Sequence, residues 1–203
     1  AILPDIPASV IEGVLTAGGT FQGNGDSYRA MAGTLNGDGS FSLTDLEIER
    51  LSPAVFDAAA AVDDIIEIEP EALDLVVATA LDAGPFEGDE AGGLFTLVGG
   101  TLRVSNVAID GQGARLLGGG TLRLSDFAIA SNWTLALTRA IVGNGLITEN
   151  TGRIGLALSG SITDPDRTLD ISQMVDAIQM RAYEVELEEL ERLRAEQEAR
   201  QRA

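Results

Sequence analysis

Gly99–Asp110 reads GGTLRVSNVAID, and twenty residues later Gly119–Ala130 reads GGTLRLSDFAIA, with most letters unchanged. A looser copy stands upstream at Gly39–Ile48 (GSFSLTDLEI). Each copy runs from Gly through a small hydroxyl residue and alternating apolar positions to a Ser/Thr-Asp/Asn pair, and then to a second apolar pair. Recurrence of such a unit predicts a sheet built by repetition.

Inside a copy the alternation has period two: Leu102 and Val104 share one face while Thr101, Arg103 and Ser105 share the other, the pattern of a half-buried antiparallel strand. At Thr44-Asp45, Ser105-Asn106 and Ser125-Asp126 the apolar parity slips by one residue, to Leu46/Ile48, Val107/Ile109 and Phe127/Ile129. A β-bulge produces that slip within one strand, and an Asx turn produces it by starting another. Both readings stay open at the level of sequence.

Outward from the repeats, Ala1–Ser9 with Pro4 and Pro7 reads as an extended lead-in. A strand is expected near Val14–Phe21, a turn at Gly23–Asp26, a strand at Tyr28–Leu35 and a further turn at Asn36–Gly39 that closes a hairpin into the first copy. Ser52-Pro53 then supplies a helix cap and a first-turn proline for a short helix over Ala54–Val62. A second helix starts at Glu69-Pro70, gathers Leu73, Val76, Val77, Ala80 and Leu81 on one face and stops at Gly84-Pro85. Phe86–Ala91 reads as an acidic loop, and strands then run almost without interruption from Leu94 to Ile162. Trp133, Leu135 and Leu137 alternate with small or polar neighbours, as do Ile154, Leu156 and Leu158.

Thr163–Asp166 is expected to stop the last strand, and Asp170 or Ser172 to cap a helix reaching the C-terminus. Ile171, Met174, Val175, Ile178, Ala182 and Val185 form the stripe by which its first half docks, whereas Glu184–Arg202 is rich in Glu, Arg and Gln, with i to i+4 pairs such as Glu188 and Arg192, and is expected in water. The fold class is thus mainly β with helices (α+β): a curved, largely antiparallel meander or groove with two short inserted helices and a long C-terminal helix. The sheet domain spans 1–170, with its helical insertion near 53–83, and the helix spans 171–203.

Composition narrows the function. The 203 residues suffice for one real core, there is no Cys, and all 13 basic residues are Arg, with no Lys and no His. The commonest general base, the Schiff-base amine, the phosphate-loop lysine and the usual zinc ligands are therefore missing, and the chain is expected to be no enzyme and to carry no cofactor. A net charge of −19 disfavours nucleic acid and anionic membrane surfaces.

The run Gly39–Phe56 (GSFSLTDLEIERLSPAVF), the helices after it, the glycine-rich repeats, Trp133–Leu137 (WTLAL), and Leu158–Asp170 (LSGSITDPDRTLD) with its following helix resemble, in that order, the C-terminal region of AsmA-family proteins. The resemblance covers most of the chain. It implies a repeating-β-groove protein of the Gram-negative envelope, related to TamB-like lipid carriers. The full-length protein would be periplasmic and anchored to the inner membrane by an N-terminal helix absent from this chain. It also implies a part in phospholipid transfer, outer-membrane assembly and lipid homeostasis, with no catalytic residues to carry over.

Physical chemistry gives that role a shape. Two acyl tails hold about 30 methylenes, so crossing water unshielded would cost on the order of 20 kcal/mol. Leu102, Val104, Leu122, Leu124, Leu135, Leu137, Leu156 and Leu158 are the candidates for an apolar lining, and Gly99-Gly100 and Gly118–Gly120 permit the strand bending that a groove needs. The partners expected are a phospholipid or other envelope lipid and, through the C-terminal helix, an envelope protein. The alternative is an ordinary core under the chain's own helices, which makes a closed end-cap or interaction module. A calcium β-roll is a weaker alternative: Gly23–Asp26, Asn36–Gly39 and Asp110–Gly113 have its Gly/Asp turns but not its nine-residue spacing. The acidic pairs Asp63-Asp64 and Glu188-Glu189 point apart in strand or helix and read as solvated, and Trp133 reads as a packing residue. Asn132-Trp133-Thr134 fits the glycosylation pattern but falls in an expected strand.

Overall fold

A computed structural model describes residues 11–62, 65–143 and 145–202. The lead-in Ala1–Ser9 and the Asp63-Asp64 pair lie outside the described residues. The chain forms β1 (Ile11–Gln22), α1 (Tyr28–Thr34), β2 (Asn36–Ile48), α2 (Val55–Ala60), α3 (Pro70–Leu81), β3 (Phe86–Gly88), β4 (Ala91–Val98), β5 (Thr101–Asp110), β6 (Ala114–Arg123), β7 (Ala128–Leu137), β8 (Arg153–Ser161), β9 (Asp164–Asp170) and α4 (Ser172–Arg202). The strands make one open, curved antiparallel sheet in the order β1-β2-β4-β5-β6-β7-β8-β9, with short β3 also paired to β2. Almost every strand pairs with its neighbour in sequence, so the repeats do build a meander.

The parity slip has two solutions in this one chain. In β5 two residues, Ser105 and Asn106, stand opposite the single residue Gly119, because Val104 pairs with Gly120 and Val107 with Gly118. Asn106 takes a left-handed φ of 55°, and its counterpart Asp45 in β2 takes 54°, so both copies contain bulges in a continuous strand. A Cβ on Gly119 would lie 2.4 Å from the Val104 carbonyl oxygen, which is why that position is glycine. In the third copy the strand ends instead: Leu124–Asp126 turn, an Asp126 carboxylate oxygen accepts the Ala128 N–H at 3.2 Å, and β7 begins.

Five local expectations are corrected. Tyr28–Thr34 is a helix, not a strand; Ser27 caps it by accepting the Ala30 N–H at 3.2 Å, and Tyr28, Met31, Ala32 and Leu35 have helical spacing. Asn36–Gly39 is strand rather than turn, for it pairs with β1 on one side and, from Gly37 onward, with β4 on the other. Part of the acidic loop is β3, pulled in by Phe86, which is fully buried. Asp164–Asp170 adds the edge strand β9, where Pro165 is tolerated because an edge need not donate every N–H. Strand structure also breaks between β7 and β8, where residues 138–143 and 145–152 lie outside the strands and Leu146 and Ile147 are buried in the core.

One half of one sheet face carries the core. Val55, Phe56, Ala59 and Ala60 of α2, Leu73, Val77 and Leu81 of α3, Ile171 just before α4, and Met174 and Ile178 in its first turns pack there against Val107, Ile109, Leu116, Leu135 and Ile154. Val76 and Ala80, expected on the same α3 face, are half-buried at its margin. Docking of α4 ends sooner than its stripe foretells: Val185 is exposed, and the helix is solvated from Tyr183 onward. Arg139 pairs with Asp57 and fastens α2 to the segment after β7.

Candidate functional site

Strand register orders the apolar face into rows that cross the sheet at right angles to the strands, because directly opposed residues share a face. Ile109, Leu116, Leu135 and Ile154 form one row, and Val107, Gly118, Trp133 and Leu156 the next. Both lie in the helix-covered half, where Trp133 packs against the core with its ring over Gly118. Beyond them come two rows outside the half covered by α2, α3 and α4, partly open to water although Phe95 and Leu97 within them are buried. One holds Gly39, Phe95, Val104, Gly120, Ser131 and Leu158, and the other Phe21, Gly37, Leu97, Leu102, Leu122 and Ile129.

This arrangement divides the eight leucine and valine candidates. Leu135, Leu137 and Leu156 are core residues, at 0%, 3% and 7% exposure; their expected place in an open lining is corrected, because α2, α3 and the start of α4 consume them. Val104 is half-buried against the margin of that core. Leu102, Leu122 and Leu158 are half-buried in the two rows beyond it, and Leu124, in the turn after β6, is half-buried with its N–H donated to the Gly100 carbonyl at 2.8 Å.

The sequence reading missed Phe21 and Ile129, which are partly open to water, and Phe95 and Leu97, which are buried, and these four complete the two rows. The Phe21 and Phe95 rings stack with centroids 6.0 Å apart and planes 9° from parallel. They lie over glycines: a Cβ on Gly39 would stand 2.5 Å from the Phe95 ring, and one on Gly37 2.8 Å from the Phe21 ring. Glycine at alternate positions of β2 was the available signal, for it marks a floor on which rings rest; it was read as a turn.

The row through Leu122 carries no ionisable side chain among the residues just named, so its chemistry is dispersion and dehydration of apolar surface. At the β9 end Arg167, opposite Leu158, donates to the Arg50 carbonyl at 3.0 Å and to the Asp82 carboxylate at 2.7 Å, and Arg50 pairs with Asp82 at 2.5 Å. The hydrogen bond from the Arg50 guanidinium holds the Asp82 carboxyl below the usual carboxylate range, against the opposing effect of burial and with further help from Arg167.

The opposite face is chemically different. A cleft of about 600 Å³ crosses β5, β6 and β7 there, over the Gly118–Gly120 backbone and between Arg103, Ser105, Thr121, Asn132 and Thr134. It offers hydroxyl, amide and guanidinium groups beside apolar ones such as Leu117 and Ala130.

Among the described residues no group of three or more His, Cys, Asp or Glu side chains is placed to hold a metal ion. The Gly/Asp clusters serve the fold: Asn36 sits in β2 with its side-chain oxygen accepting the Gly99 N–H at 2.9 Å, and Asp110 pairs with Arg115. Glu188 and Glu189 engage Arg181 and Arg192 on α4. No helix among the described residues is long and apolar enough to cross a membrane.

No protein-family model matches the chain, and neither the curated proteins nor the solved structures yield a match. The site is read from its own geometry.

Proposed function

We propose that the chain is a non-enzymatic lipid-handling domain of a Gram-negative envelope protein, acting in phospholipid transfer or outer-membrane assembly from the periplasm, as its resemblance to the AsmA family implies. The observation that carries this reading is the row of Phe21, Leu102, Leu122 and Ile129, which with Gly37 and the buried Leu97 between Phe21 and Leu102 crosses six strands on one face. At about 4.8 Å per strand the row is roughly 24 Å long, more than the roughly 15 Å depth of one bilayer leaflet. An acyl chain laid along it would exchange water for apolar contact at about 0.8 kcal/mol per methylene.

Burial of Leu135, Leu137 and Leu156 favours a second reading, a closed end-piece whose apolar face serves the fold alone. Native mass spectrometry of the gently purified chain, followed by cross-linking to a phospholipid with a photoreactive acyl tail, separates the two. Leu122→Asp is expected to lower cross-linking at least about tenfold while cooperative unfolding survives, and Leu102→Asp to repeat the effect from the neighbouring strand. Wild-type protein that carries no lipid, or cross-linking indifferent to both substitutions, overturns the lipid reading and leaves the closed one.

A further inference from the structure

Helix α4 runs for 31 residues, yet its buried side chains end at Ile178. Past that point Met180, Tyr183, Leu187 and Leu190 remain 45–68% exposed. Their spacing of three, four and three residues is that of the a and d positions of a coiled-coil seam. A helix that only needs to stay in water has no use for such a seam, since helices in proteins draw most of their stability from packing an apolar face.

The charges beside the seam specify what fits it. With Met180 and Leu187 at a and Tyr183 and Leu190 at d, Glu184 and Glu191 occupy e and Glu186 occupies g. Between Met180 and Glu191 the only basic residue is Arg181, which sits off the seam and is engaged by Glu184 at 2.9 Å and Glu188 at 3.8 Å. Arg192 likewise serves Glu189 and Glu196 away from the seam. A second copy would fit badly: parallel pairing sets Glu186 against the other copy's Glu191, and antiparallel pairing sets the e-position glutamates against one another. Arg194 at the next a position ends the apolar run.

We propose that the exposed two heptads of α4 are a docking site for a partner protein's helix with aliphatic a and d residues and Lys or Arg at e and g. The acidic flanks select against a second copy and against anionic lipid surfaces, and the seam supplies the contact.

The test uses the full chain and designed peptides with leucine at a and d. One carries lysine at e and g, one carries glutamate there, and a third is a scrambled sequence of the lysine peptide's composition. At about 0.15 M salt the lysine-flanked peptide is expected to bind at least about tenfold more tightly than the other two and to slow amide exchange over 183–193. Leu187→Glu with Leu190→Glu abolishes that binding although it adds negative charge, and Glu184→Arg, Glu186→Arg and Glu191→Arg together transfer the preference to the glutamate-flanked peptide. Equal binding of the scrambled peptide overturns the proposal by reducing it to bulk charge. So does self-association of the wild-type chain that is lost in the leucine variant, or stronger binding to anionic vesicles than to the peptide.

Discussion

Leu135 and Leu122 stand on the same face of neighbouring strands, each at an apolar position of an alternating pattern, yet Leu135 is fully buried and Leu122 only half-buried. The difference lies in what is laid over them. The core half of the face is roofed by two helices inserted between β2 and β3 and by the first turns of α4, whereas the half that includes Leu102, Leu122 and Leu158 receives no such roof. Alternation within a strand therefore reports which face a residue occupies and says nothing of whether that face is closed. Closure is decided by distant segments, and here it separates residues that serve folding from residues free to serve a guest.

The largest effect expected from this comparison is on stability. Leu135→Ala should cost about 2–5 kcal/mol, the loss of a packed leucine plus the cavity it leaves, while Leu122→Ala should cost less than about 1.5 kcal/mol because part of that side chain already meets water. Urea unfolding of the two variants measures the contrast, and equal losses would mean that both halves of the face are packed alike. A smaller effect is expected where the repeats diverge. Asn106→Val forces a β-branched residue into the left-handed region at the β5 bulge and should cost about 1–2 kcal/mol, whereas Asn106→Gly should leave stability within a few tenths of that of the wild type. A wild-type-like Val variant would show that the bulge is not held by that residue.

Much of the architecture was legible because it is local. The repeated Gly-Thr-Leu-Arg units, the proline-started helix α3 and the change of period after Arg50 each leave a periodic trace, and the antiparallel meander follows from them. What escaped was context. The same small, glycine-rich composition yields a helix at Tyr28–Thr34, where Ser27 supplies a cap, and a strand at Asn36–Gly39, where rings from β1 and β4 need a flat floor. For the candidate site, the face of Leu102, Val104, Leu122 and Leu158 was readable from parity. The roof over Leu135, Leu137 and Leu156 was not, because it depends on pairs as remote in sequence as Asp57 with Arg139 and Asp82 with Arg167.

That last pair yields the smallest expected effect, and it tests whether the roof is fastened from its edge. Asp82, just past the end of α3, is held by Arg50 from the β2–α2 connection and by Arg167 from β9. Because its carboxyl is shifted down in the folded chain, the unfolded chain takes up the proton first as pH falls. The stability that Asp82 contributes is thus complete above the ordinary aspartate range near pH 4 and drains away as pH drops through the lowered native value. Asp82→Asn should therefore be less stable than wild type near pH 7, with the gap narrowing below about pH 4. The Asp82 carboxylate is about one-third exposed, so solvent screening keeps the gap modest. Urea midpoints for both proteins across that pH range decide the matter: a gap that stays constant or widens toward acid would mean that Asp82 acts through packing at the helix end rather than through its charge.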